Sequence, residues 1–176
     1  MKQNPYGKQR LLIFILLFIT VAALCVTVWA LFFQKPDIKL APDYAPVKTE
    51  ENARPIPGDT GKQNTAQPGS GSVTLTYSTQ VDIDLDGRNV ALLFANPGKS
   101  NQDMVLQIVI RDTVLLQSGR LTPGNQVERL ELTDEAAAML SPGGYEGSFR
   151  IFYYDAQTGE KAIIHTEIPV SITVSQ

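Results

Sequence analysis

From Val73 to the C-terminus, apolar and polar residues alternate with a period of two. Val73, Leu75 and Tyr77 alternate with threonine and serine, and Val81, Ile83 and Leu85 alternate with glutamine and aspartate. Val90, Leu92 and Phe94 follow and end at Asn96-Pro97-Gly98; Met104, Leu106, Ile108 and Ile110 form a further set. Successive side chains of a strand point to opposite faces, so each set predicts a strand with one buried face. Short strands are expected over 114–118 and 127–132, with Pro123-Gly124-Asn125 in the loop between them. Tyr145, Phe149, Ile151 and Tyr153 share one face of the penultimate strand, and Asp155 to Gly159 turns the chain. Ile164, Thr166, Ile168, Val170, Ile172 and Val174 share one face of the last strand. Thr133, followed by two acids and three alanines, reads as a capped start of one short helix. About seven strands, with a turn roughly every 8–12 residues, predict an all-β, antiparallel β-sandwich over residues 73–176.

Two earlier stretches follow neither period. Residues 11–33, LLIFILLFITVAALCVTVWALFF, hold no charge. At ~1.5 Å per helical residue they reach ~34 Å, enough for a hydrocarbon core of ~30 Å. Trp29, Phe32 and Phe33 gather where an interfacial aromatic belt belongs. The run is longer than the apolar part of a cleaved signal peptide, and Trp29 to Phe33 offers no small-x-small cleavage site. A transmembrane helix acting as an uncleaved signal-anchor is therefore expected. Lys2, Lys8 and Arg10 before it favour residues 1–10 on the cytoplasmic side and the C-terminal part outside, at the plasma membrane. Residues 34–72 are crowded with Pro, Gly, Ser, Asn, Gln and charge, and predict a disordered extracellular linker.

Charge and cysteine usage narrow the function. The chain carries 15 Lys and Arg against 18 Asp and Glu. No acid occurs in the first 35 residues, so residues 36–176 hold eleven basic residues against all 18 acidic ones. An acidic outer part without basic runs argues against a nucleic-acid partner. The single cysteine, Cys25, allows neither an intrachain disulfide nor a cysteine-based zinc cluster.

Leu140-Ser141-Pro142-Gly143-Gly144-Tyr145 resembles the approach to the penultimate strand of immunoglobulin-like and fibronectin-like domains. The resemblance implies that Tyr145 closes a tyrosine corner by hydrogen-bonding to upstream backbone. It covers residues 73–176 at the level of fold, and the Cys…Trp…Cys signature of antibody domains is absent. An anchor, a polar stalk and one such domain is also a layout similar to that of small surface proteins of Gram-positive bacteria.

Candidate chemistry is sparse. Asp82, Asp84, Asp86 and Gly87 match the opening of a calcium loop, but Leu93 stands where that loop needs a bidentate glutamate. The same residues read as the polar side of a strand running into an Asp-Gly turn, and both readings stand. His165, the only histidine, sits on the outward side of the last strand beside Ile163 and Glu167. No nucleophile-type turn, zinc motif or phosphate-binding loop accompanies it, so no enzyme and no cofactor is expected. Arg150, Phe152 and Tyr154 alternate onto the outward face of the penultimate strand, with Ile163 and His165 across the hairpin. Exposed aromatics beside arginine suit protein or sugar contacts, and a covering strand, loop or linker would remove them.

The expected function is a membrane-anchored, non-enzymatic, extracellular protein-interaction module that binds another envelope or membrane protein. It would serve an envelope, secretion or transfer machine as an accessory subunit. The alternatives are a module for cell-wall glycan and a calcium-dependent adhesin.

Overall fold

A computed structural model of the chain describes residues 14–24, 42–60 and 72–176. The chain divides into two compact units, 1–37 and 38–176. In the first, residues 14–24 form a helix (α1), in which the Thr20 hydroxyl donates to the Leu17 carbonyl at 2.8 Å. Among the described residues no helix is long and apolar enough to cross a membrane. The expected span over 11–33 includes residues 11–13 and 25–33, which lie outside the described residues, as do 1–10, 34–41 and 61–71.

The second unit is built on one mixed, nine-stranded sheet. Its strands are β1 (Arg54–Pro55), β2 (Thr76–Tyr77), β3 (Gln80–Asp84), β4 (Asn89–Asn96), β5 (Gln102–Ile110), β6 (Thr113–Gln117), β7 (Asn125–Glu131), β8 (Gly143–Asp155) and β9 (Lys161–Ser175). A short helix α2 (Asp134–Ala138) follows β7; the Thr133 hydroxyl accepts from the Ala136 N–H, and Asp134 and Glu135 fill its first turn. Spatial order is β1-β7-β4-β3-β9-β8-β5-β6, with β2 also on β4. All neighbours are antiparallel except β3 and β9, which run parallel, Val81 opposite Ile172.

The sheet curls strongly. Phe94 on β4 and Phe149 on β8 are three strands apart along it, which would separate them by ~14 Å in a flat sheet. Their ring centroids lie 6.4 Å apart in an edge-on contact. The inward sets predicted from alternation meet in this curl: Val81, Ile83, Val90, Phe94, Leu106, Ile108, Ile151 and Ile172 are buried in one core. A two-residue turn joins β5 to β6, with Arg111 and Asp112 both at positive φ (48° and 63°), the geometry that matches strand twist.

Part of the expected linker is ordered, which corrects the reading of 34–72 as disordered throughout. Residues 42–60 form a strap across the outside of the sheet. At its start Lys161 N–H donates to the Asp43 carbonyl and Ala45 N–H to the Gly159 carbonyl, each at 2.8 Å. It then crosses β8 and β5, where Ala45 packs on Val105, Phe152 and Tyr154. Further on, Glu50 N–H donates to the Arg120 carbonyl and Arg120 N–H to the Lys48 carbonyl, both at 3.0 Å. The Glu50 carboxylate accepts from Gly119 N–H (2.7 Å) and Asn52 N–H (3.2 Å). β1 pairs with β7, and Asp59 accepts from Gly98 N–H at 2.6 Å. The strap thus joins the β5–β6 side of the curled sheet to the β7 side. Its backbone groups find partners on the domain, which compensates for its having few buried apolar side chains. This is why β5 is buried along nearly its whole length on both faces.

Candidate functional site

The hairpin β8–β9 carries most of the candidate residues, and the strap divides them. Tyr154 is fully buried, and its hydroxyl donates to the Pro42 carbonyl at 3.1 Å. Phe152 is buried beneath Ala45, with His165 stacked on it at 5.7 Å and Lys161 Nζ 5.5 Å from its ring centre. The expected aromatic platform is therefore not a solvent-facing one: alternation aims these rings outward, and the strap covers them. His165 and Ile163 remain exposed. Arg150 Nη2 lies 3.6 Å from Glu167 Oε1, which also accepts from the Ser148 hydroxyl at 2.7 Å. That hydroxyl, helped by the charges of Arg150 and His165, holds the Glu167 carboxyl below its usual range.

The edge of β9 is the distinctive feature. β9 pairs with β8 along most of its length, but with β3 only over Ser171–Ser175. Ser171 N–H donates to the Thr79 carbonyl, so the odd-numbered backbone groups of β9 point away from β8. The β8–β9 register is unbroken from His165 to Val174, so His165, Glu167 and Pro169 share that direction. Pro169 has no N–H. The edge therefore offers N–H groups at His165 and Glu167 and carbonyls at His165, Glu167 and Pro169. Among the described residues no strand pairs with this side of β9 between Lys161 and Ser171. The stretch is closed off by the strap at Lys161 and by β3 at Ser171.

A bulge shapes its near end. Phe152 pairs with His165 and Tyr154 with Lys161, so β9 spends four steps where β8 spends two. The extra residues push out Ile163 and Ile164, which are 103% and 68% exposed. Alternation assigned Ile164 to the inner face; it lies inside the bulge, where successive residues no longer alternate in burial and Ile163, Ile164 and His165 are all exposed.

The aspartates run from the end of β3 into a turn. Asp84 Oδ1 accepts from Gly87 N–H at 2.9 Å and its Oδ2 from the Asn89 amide at 3.4 Å, closing the β3–β4 connection. Asp82 stands on β3, opposite Ala91 and Thr173, and Asp86 in the turn. Among the described residues no three His, Cys, Asp or Glu side chains gather as metal ligands do. Tyr145 begins the inward face of β8; its hydroxyl donates to the Ser141 carbonyl at 2.8 Å and accepts from the Ser141 N–H at 3.1 Å. Asp103, invisible as a candidate in the sequence, is buried beside Arg120, whose Nε lies 3.5 Å away. Burial raises its carboxyl above the usual value, with Arg120 opposing. None of three shallow clefts of about 150 to 440 Å³ is lined by His165.

No protein-family model matches the chain, and no curated protein matches it at a significant level. Among solved structures it is similar to AggA, the major subunit of aggregative adherence fimbriae type I from Escherichia coli. That likeness covers 61% of this chain and 97% of the other, at 12% identity and a TM-score of 0.27. A likeness this distant carries no functional weight, and the reading below rests on this chain's own residues.

Proposed function

We propose that the chain is a membrane-anchored, non-enzymatic interaction module, with its β domain outside the plasma membrane. In this reading residues 11–33 span the bilayer, and the domain is an immunoglobulin-like sandwich. The strands β7-β4-β3 then form one layer and β9-β8-β5-β6 the other, the grouping of fibronectin-like domains. The single observation that supports a binding role is the edge of β9 between the strap and β3, with which no strand among the described residues pairs. An open edge is a template for one more strand, with backbone hydrogen bonds for affinity and side-chain neighbours for selectivity. The partner is an extended segment of another envelope protein. It is short, because Lys161 and Ser171 already hold other chain segments.

The test places a photoreactive residue at Glu167 in the full chain and crosslinks in native membranes. One dominant protein adduct, lost when His165 is replaced by proline to remove an N–H from the edge, supports the reading. Adducts confined to the chain itself would sink it.

A further inference from the structure

Four of the large apolar side chains left exposed on the β domain collect at one end. Tyr44 is 62% exposed, Val47 96%, Ile163 103% and Ile164 68%. Each lies within four residues of the same backbone contacts, in which Asp43 and Ala45 meet Lys161 and Gly159 and Tyr44 bridges to Glu160. The β9 bulge is what turns both isoleucines outward there. A soluble surface tolerates scattered apolar residues, but a cluster marks a contact.

The chain enters the domain at this same end, where Tyr154 holds the Pro42 carbonyl. Eight residues, 34–41, separate Phe33 from Pro42 in sequence. At no more than ~3.6 Å per residue they reach ~30 Å at most. Building on the membrane-anchor reading, we infer that this apolar end rests on the bilayer surface itself. Its occupant is lipid: the aliphatic tips enter the headgroup and acyl boundary, where tyrosine is also favoured. Lys48, 74% exposed along its side chain and paired with Glu51 at 2.8 Å, has a long stem that suits such a boundary. The open stretch of β9 beyond the bulge stays available to a protein partner.

The experiment uses the full chain in nanodiscs, with Cys25→Ser as background and single cysteines at Ile163, Val47 and, in the β5–β6 turn, Asp112. Each is labelled with a polarity-sensitive fluorophore, and brominated lipids serve as quencher. Labels at Ile163→Cys and Val47→Cys should shift to the blue and lose emission by about twofold, as expected a few ångströms below the headgroups. The Asp112→Cys label should stay water-like. A water-like Ile163→Cys label in protein that resists carbonate extraction overturns the inference and leaves the anchor standing. A blue-shifted label that bromine does not quench means another polypeptide covers the patch, and also overturns it. Protein that carbonate extracts would instead refute the anchor reading, and this inference with it.

Discussion

Gly119 is the position at which the docked strap is most sharply testable. A Cβ added there would lie 2.7 to 2.8 Å from the backbone of Thr49 and Glu50. Backbone cannot rotate away as a side chain can, so Gly119→Ala must lift the strap locally. Three hydrogen bonds lie at the collision: Gly119 N–H to the Glu50 carboxylate, Glu50 N–H to the Arg120 carbonyl, and Arg120 N–H to the Lys48 carbonyl. A neutral bond contributes about 1 kcal/mol and one to a charged group about 1.5–3, so their loss costs roughly 3–5 kcal/mol. Alanine also restricts the unfolded chain, which returns about 0.4–1 kcal/mol. The net is a destabilisation of about 3 kcal/mol, or a fall in Tm of about 10 °C for a domain of this size. Urea unfolding of the full chain in detergent measures the free energy. Hydrogen exchange at Ala45 and Glu50, whose protection should vanish, locates it. The two terms oppose each other, so the sign is decisive. An unchanged or raised stability would mean that the strap does not pack against residues 118–120, and the account of the covered outer face would fail with it.

Two further outcomes follow from particular contacts. Tyr145→Phe removes the hydroxyl from the Ser141 backbone and should cost about 1 kcal/mol in urea unfolding, at the low end because Ser141 is exposed. Asp103 gives the pH dependence: its folded-state value is raised by burial, so the folded protein holds that proton more tightly than the unfolded chain. Stability should therefore fall as pH rises from the ordinary carboxylate value of 3.8 through the raised folded value, and stay at the lower level above it. Asp103→Asn should flatten that part of a Tm-against-pH curve, and an unaltered slope would show that the slope comes from another group.

Much of the domain was legible in local pattern. Strands β3, β4, β5, β8 and β9 each hold most of the apolar set that alternation marks, because a buried face imposes a period of two whatever it packs against. Thr133 signals α2, since its hydroxyl is the one suited to the free N–H groups of a first turn. The Tyr145 hydroxyl, which the immunoglobulin-like resemblance singles out, bonds to the Ser141 backbone. Alternation tells which way Phe152 and Tyr154 point and nothing about what lies above them, so the choice between an open and a covered face fell to the strap.

The sequence by itself determined strands β3 to β9 to within a few residues, which way most of their side chains face, and where most of the domain turns. These depend on neighbours two to four positions away. Only the tertiary structure decided that residues 42–60 are ordered, because their stabilising contacts reach across the chain, from Glu50 to Gly119 and from Asp59 to Gly98. It also decided the parallel joining of β3 to β9, the bulge that exposes Ile163 and Ile164, and the stretch of β9 that no strand among the described residues pairs with. A strand's pattern records that one face is buried; it does not record which backbone lies along its edge, since every residue type offers the same carbonyl and, proline apart, the same N–H.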